Sequence, residues 1–475
     1  ACVIHFGRAV SPRRLVTPHP AKRPVFDHFL DQLPARLEAA LASTERGYLT
    51  SVTLDVPMPD FPTPVELPDE SIFWSRPAQG HFRLGVGRAL RLAFAGVDRF
   101  EQLDQRLREL ESDWSRGDDV PGVFLGFAFS PVQEVQRDWA PLANTLALVP
   151  RVVIDRGPLG CRLTFSCRAD EDRDDVMAQW LDGAGAIVSA FDPDTVIANS
   201  APIVLREIPG AEADWLARVR RALDEIRSGK LDKLVLTRRI TMLTSRPLRP
   251  GAVLAWLGDR YNDCTLFSFR ESDMALVGVS PERLLSIRDG AVLADALAGS
   301  APRLTPPEED RIAGEMLLKE IKAQHEHAVV VDDIIGALRP DCVSVSACQA
   351  PSLLKLPTVQ HLWSQVHGQL REGVRPLALI SRLHPTPAVG GTPREQALTW
   401  LQDHGETRWG WYTGGVGWLD GNGAEVSVVL RCGLLNGATA DLFAGAGIVA
   451  GSVPETELDE TRWKLDALRE ALAIG

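Results

Sequence analysis

Helical and strand-like patterns are interleaved along this chain without a regular strand–helix–strand rhythm. Helical spacing is read over Phe26–Leu41, with Leu30, Leu33 and Leu37 on one side and Pro34 as an expected break or kink. It recurs over Asp98–Trp114, Asp175–Ala190, Ala213–Arg227, Glu308–Leu338 and Glu457–Leu472. Strands are read at Val123–Phe129, Leu146–Ile154, Cys161–Arg168, Leu234–Ile240 and Leu442–Val449. Such an order disfavours a doubly wound parallel sheet and predicts an α+β fold. Gly229 closes the Ala213–Arg227 helix. Stretches 11–24, 56–68 and 191–210 are rich in proline or small polar residues and read as irregular connections.

Charge and cysteine content narrow the function classes. The 475 residues carry 51 basic and 63 acidic side chains, a net charge of −12, with no basic run. That balance argues against a nucleic-acid partner. No apolar stretch approaches the roughly 20 residues that span a bilayer, and the opening ACVIHFGRAV lacks the pattern of a secretory signal. The seven cysteines are odd in number and form no CxxC, so a disulfide framework or a zinc–thiolate site is not expected. The expectation is a cytoplasmic protein with neither a nucleic-acid nor a membrane partner.

Several segments could carry chemistry. In KLVLTRRI, alternation puts Lys233, Val235, Thr237 and Arg239 on one face. A lysine at the edge of an apolar strand can lose its charge by desolvation and serve as a base; a strand-end lysine reaching water explains the same pattern. In GVSPERLL, Glu282 lies between apolar runs, where a carboxyl can stay protonated and act as an acid; a surface turn is the plainer reading. Glu326, in QHEHAVVV, sits on a helix face that turns apolar, and a buried carboxylate needs a cationic or metal partner. His325 and His327 lack the i, i+4 spacing of a zinc site. Glu457, Glu460 and Lys464 share a face of the last helix, which suits a hard cation with an anionic ligand or a solvated charge ladder. The glycine segments LAGS, GWYTGGVGW and LFAGAGIV let a backbone approach a ligand but fit no nucleotide motif.

Taken together and in order, KLVLTRRI, GVSPERLL, ALAGSAPR, QHEHAVVV, RLHPTPAVGGTPR, GWYTGGVGWLDGNG, VVLRCGLL, LFAGAGIV and ETELDETRWKL resemble the chorismate-utilising enzymes, over roughly residues 213–470. The resemblance implies one large α+β fold, with two-layer β/α halves around a deep central site. Residues 1–205 would form a loosely matched N-terminal portion and 206–475 the chorismate-binding catalytic portion. It also implies Mg²⁺ on Glu326 and Glu460, with Glu457 nearby, and chorismate as the substrate. Arg431 would hold a substrate carboxylate, joined by Gly299, Ser300, Gly445 and Lys464, with His384 and Tyr412 in the same region.

Within that family, members that use ammonia carry glutamine where this chain has Lys233, and water-using members carry lysine. Aminodeoxychorismate synthases have a nucleophilic lysine where this chain has Ala298. The resemblance therefore implies water rather than ammonia, Lys233 as base, Glu282 as acid and no glutamine amidotransferase subunit. The segment around His384 looks like isochorismate synthases, whereas a tyrosine near Tyr412 also occurs in salicylate synthases. The expectation is isochorismate formation by addition of water at C2 and loss of the C4 hydroxyl. The alternatives are salicylate formation through pyruvate elimination, or a protein that only binds chorismate.

Overall fold

A computed structural model of the chain describes residues 23–44, 47–56, 63–115, 122–157, 160–192, 203–208, 212–406, 408–421 and 423–473. Of the stretches read as irregular, 11–22, 57–62 and 193–202 lie outside these residues. Two large sheets carry the fold, and the α+β expectation holds. The larger, of 13 strands, runs in the order Leu205–Glu207, Lys233–Thr244, Thr439–Val449, Cys432–Asn436, Met274–Ser280, Thr265–Glu271, Ser71–Arg76, His81–Val86, Val152–Gly157, Gly160–Arg168, Leu49–Asp55 and Trp114–Ser115, with Gly391–Thr392 beside Lys233–Thr244. The smaller, of 10, runs Cys342–Ala347, Val359–Leu370, Ala291–Pro302, Arg283–Arg288, Gly423–Val428, Gly415–Asp420, Val123–Phe127, Thr145–Val149 and Leu90–Phe94, with Ser352–Lys355 beside Val359–Leu370. Strands from early and late in the chain pair directly, as Ser71–Arg76 does with Thr265–Glu271.

The sheets share a core in which Trp74, Phe267 and Leu276 of the larger meet Phe124, Leu146 and Trp418 of the smaller. Helices cover the outer faces, each through the stripe its sequence predicts. Helix Glu212–Arg227 buries Trp215, Val219, Leu223 and Ile226 and is followed by Gly229 at φ +80°. Helix Pro454–Leu472 buries Leu458, Leu465, Leu468 and Leu472. Each such side chain contributes about 1.5–3 kcal/mol by leaving water.

The elements depart from the sequence reading in four places. Helix Arg23–Ser43 runs through Pro34 rather than breaking there; burial of Phe29, Leu33 and Leu37 offsets the about 3 kcal/mol that an internal proline costs. The helix after Asp98 ends at Glu111, and Trp114 turns into a short strand, its Nε1 donating to Ser51 Oγ at 2.9 Å. Leu146–Ile154 is two strands in different sheets, divided at Pro150–Arg151, where Arg151 is buried and held bidentately by Glu171 at 2.6 and 2.7 Å. Glu308–Leu338 is two helices, Pro307–Lys319 and Ile321–Leu338, with extended backbone (ψ 117°) at Glu320. The first packs through Gly314 against Leu353 and Gln360, whereas the second sends Val330 and Ile334 into the main core. Two docking surfaces require two axes.

Two connections between the sheets set up the site. The chain leaves the larger sheet at Ser280 and enters the smaller at Arg283, with Pro281 and Glu282 between. It returns from Val428 to Cys432 through Val429, Leu430 and Arg431. The two connections lie side by side: Val428 N–H donates to Glu282 O, and Val279 N–H to Arg431 O, both at 3.1 Å.

Candidate active site

A cavity of about 710 Å³, its open mouth included, lies at these connections. Strand register supplies one wall. Val235 pairs with Gly447 and Thr237 with Gly445, so glycines lie beside the Lys233 face of the neighbouring strand. A Cβ on Gly447 would stand 2.6 Å from Glu326 Oε1 and 3.0 Å from Lys233 Cε. The absent side chain is what leaves room for that pair.

Lys233 is buried, and its Nζ lies 2.7 Å from Glu326 Oε1. The amine expected to act as base thus has a carboxyl partner within hydrogen-bond distance. Burial pushes the Glu326 carboxyl up, and the Lys233 ammonium, with Lys322 and Lys464, more than offsets it. Glu282 is 3% exposed. Burial first, and then the Asp295 carboxylate, push it up to about 8, against Lys233, Lys464 and Arg431. That direction is the one an acid at this position would need.

Arg431 holds φ +42°, a left-handed conformation rare for a side-chain-bearing residue and common where function constrains the backbone. Its Nη2 donates to His361 Nε2 at 2.6 Å, while Nε and Nη1 are buried with no hydrogen-bond partner among the described residues. Two unpaired guanidinium donors fit a carboxylate ligand. His361 pairs in register with Ser300, and its Nδ1 lies 3.0 Å from Ser300 Oγ. Burial, then Arg431 and Lys464, hold this imidazole well below its ordinary value. A neutral ring accepting at Nε2 carries its proton on Nδ1.

Lys464 Nζ lies 2.6 Å from Glu460 Oε1 and donates to Gly445 O at 2.9 Å. Tyr412 is buried and stacks on Phe443 with ring centroids 5.4 Å apart; burial pushes its phenol well above the ordinary range. Lys233, Glu282, Gly299, Ser300, Glu326, Tyr412, Arg431, Gly445, Glu460 and Lys464 thus all line one cavity.

Two expected residues do not line it. His384 is buried against Phe127 and Phe129, with its Nε2 2.9 Å from Thr413 O; burial pushes it down to about 3, so the neutral ring supports a wall residue instead of facing a ligand. Glu457 turns to Lys322 Nζ at 3.1 Å, and burial and Glu460 push its carboxyl up. Among the lining residues that were not singled out as site residues are His361, Thr413 and Phe443. His361 sits in the apolar run TVQHLW, and only the pairing with Ser300 marks it.

Among the described residues, no three His, Cys, Asp or Glu side chains gather as a preformed metal cluster. Glu326 and Glu460 nevertheless reach the same cavity, each neutralised by a lysine. Two carboxylates with room beside them fit a hard cation that keeps most of its ligands as water and substrate oxygen. No helix among the described residues is long and apolar enough to cross a membrane.

A family model described as chorismate binding enzyme matches residues 36–473. The chain is 33% identical over 420 residues to the isochorismate synthase MenF of Bacillus subtilis, covering 84% of this chain and 87% of that protein. It is 34% identical over 424 residues to the salicylate biosynthesis isochorismate synthase of Pseudomonas aeruginosa, covering 85% of each. Among solved structures, the fold matches the menaquinone-specific isochorismate synthase MenF of Escherichia coli with a TM-score of 0.76 at 24% identity, over 93% of this chain and 99% of that one. It matches anthranilate synthase component I of Streptococcus pneumoniae with a TM-score of 0.66 at 19% identity, over 82% and 92%.

Proposed function

The chain belongs to the family of chorismate-binding enzymes, and from that premise we propose that it is an isochorismate synthase, interconverting chorismate and isochorismate with Mg²⁺. The observation that carries this reading is that Lys233 and Glu282, whose carboxyl burial pushes up to about 8, line one cavity. The names of relatives at 33% and 34% identity support it. All the lining residues fall between Lys233 and Lys464, so we assign the site to the catalytic portion 206–475.

The free donors of Arg431 receive one substrate carboxylate, beside Ser300 and Lys464. Lys233, its ammonium proton given up to solvent, acts as the free amine and takes a proton from water, and that oxygen bonds to C2 of chorismate. The ring double bonds shift, the C4–O bond breaks, and Glu282 gives its proton to the departing hydroxyl. One water is consumed and one released; the proton on Lys233 returns to Glu282 through solvent. A glutamine at position 233 could not take the proton. Glu326 and Glu460 would hold Mg²⁺, which supplies positive charge against the ring carboxylate.

Chromatography of chorismate incubated with the pure protein tests this, with Mg²⁺ and then with EDTA. The expected result is an equilibrium mixture of chorismate and isochorismate that fails to form after chelation. Salicylate with pyruvate would move the protein to the lyase branch. Unchanged chorismate despite calorimetric binding would make it a binding protein only.

A further inference from the structure

Asp295 is buried but does not line the cavity. It lies on strand Ala291–Pro302, which forms a hairpin with Arg283–Arg288, the strand that Glu282 leads into. Its Oδ2 accepts from the Arg283 backbone N–H at 3.2 Å and lies 3.8 Å from Arg283 Nη1. Arg283 Nε in turn reaches Glu425 Oε1 at 3.1 Å, and Arg76 reaches the same oxygen at 2.8 Å. Two arginines and two carboxylates therefore form a network, buried at Arg283 and Asp295 and half-buried at Arg76 and Glu425, that ends one residue from Glu282.

We propose that Asp295 is a positioning residue for Glu282, anchoring the backbone just after it and setting a fixed negative charge behind it. The charged groups acting on Glu282 from the elements around it are Lys233, Lys464 and Arg431, all cations that favour its ionised form, and Asp295, which opposes them. Burial and Asp295 together keep the Glu282 carboxyl protonated. Burial pushes the Asp295 carboxyl itself up, and Arg283, Arg76 and the Arg283 backbone N–H offset that push only in part. Glu282 would otherwise face three cations without a counterweight, and a carboxylate among cations gives up its proton early. The proposal rests on the reading of Glu282 as the acid and adds the residue that keeps it one.

Asp295→Asn separates the two roles, because the amide oxygen still accepts from Arg283 N–H while the charge is gone. Its expected effect is a shift of the alkaline limb of kcat/KM toward lower pH by about one unit, with the rate at pH 6 within about threefold of wild type. Asp295→Ala, which also loses the anchor, should lower the rate at every pH. Infrared difference spectra of wild type against Glu282→Gln isolate the Glu282 carboxyl band, and its titration midpoint should fall in Asp295→Asn by the same amount. An unmoved midpoint and an unmoved limb would overturn the proposal. Should Asp295→Asn fail to fold, Asp295→Ser, which loses charge and anchor alike, should show the same fall in the infrared midpoint. Full activity in Glu282→Gln would refute the acid role alone, since the infrared midpoint still decides what Asp295 does.

Discussion

Glu282 and Arg431 stand on adjacent connections between the two sheets, each accepting at its backbone carbonyl an N–H from the strand that leads to the other, at 3.1 Å. The residues proposed as proton donor and carboxylate clamp thus share a backbone register.

Glu282 works only while protonated, so kcat/KM should hold up to about pH 8 and then fall about tenfold per unit. Glu282→Gln should lower kcat by about 10²–10⁴. Stability moves the other way. The folded pKa lies above the unfolded one, so the group favours folding at low pH and that contribution is lost as pH rises from about 4.5 through about 8. Glu282→Gln should therefore melt higher than wild type at pH 8.5 and near it at pH 4.5, as calorimetric scans at both pH values would show.

Arg431→Lys keeps the charge and loses the fork. Because Nε and Nη1 are the unpaired donors, KM for chorismate should rise by about 10–100-fold, the size of one or two charge-assisted hydrogen bonds. His361→Phe leaves Arg431 Nη2 without its 2.6 Å acceptor and should raise KM by about tenfold. Steady-state kinetics of both variants would check this; a loss confined to kcat would contradict it.

Gly447→Ala places a methyl against the Lys233–Glu326 pair. The pair has to move, and a displacement near 1 Å costs about 10² in rate. The expected variant is folded, with wild-type circular dichroism and about 1% of the activity.

The carboxylates should differ in their Mg²⁺ dependence. Glu326→Gln and Glu460→Gln alter residues that line the cavity and should raise the Mg²⁺ concentration for half-maximal rate by about tenfold or more. Glu457→Gln alters a residue turned to Lys322 and should change it by less than about threefold. Magnesium titrations of the three variants rank them.

Side-chain stripes were legible where burial alone shapes the element. Helix Glu212–Arg227 could be read because Trp215, Val219, Leu223 and Ile226 repeat at helical spacing and enter the core. Elements defined by their neighbours were not. Nothing within Leu146–Ile154 announces a change of sheet except Pro150, and nothing in Glu308–Leu338 announces that its halves dock on different surfaces. The site divides in the same way. Lys233, Glu282 and Glu326 are ionisable groups that an apolar setting makes conspicuous, whereas Arg431 is visible only through the family resemblance and Lys464 through the helix face it shares with Glu460; all five converge on the cavity. His384 and Glu457 have the right chemistry but point to Thr413 and Lys322. His361 is visible only through cross-strand register.

Because Glu282 and Arg431 sit on the links between layers rather than within either layer, the spacing of the two sheets works like the opening of a vice. Trp74, Phe124, Phe267 and Trp418 fill the space that fixes that opening, remote as they are from the reacting atoms. Enlarging or shrinking them would rescale the cavity as a whole, whereas changes on the outer helical faces would leave its aperture alone.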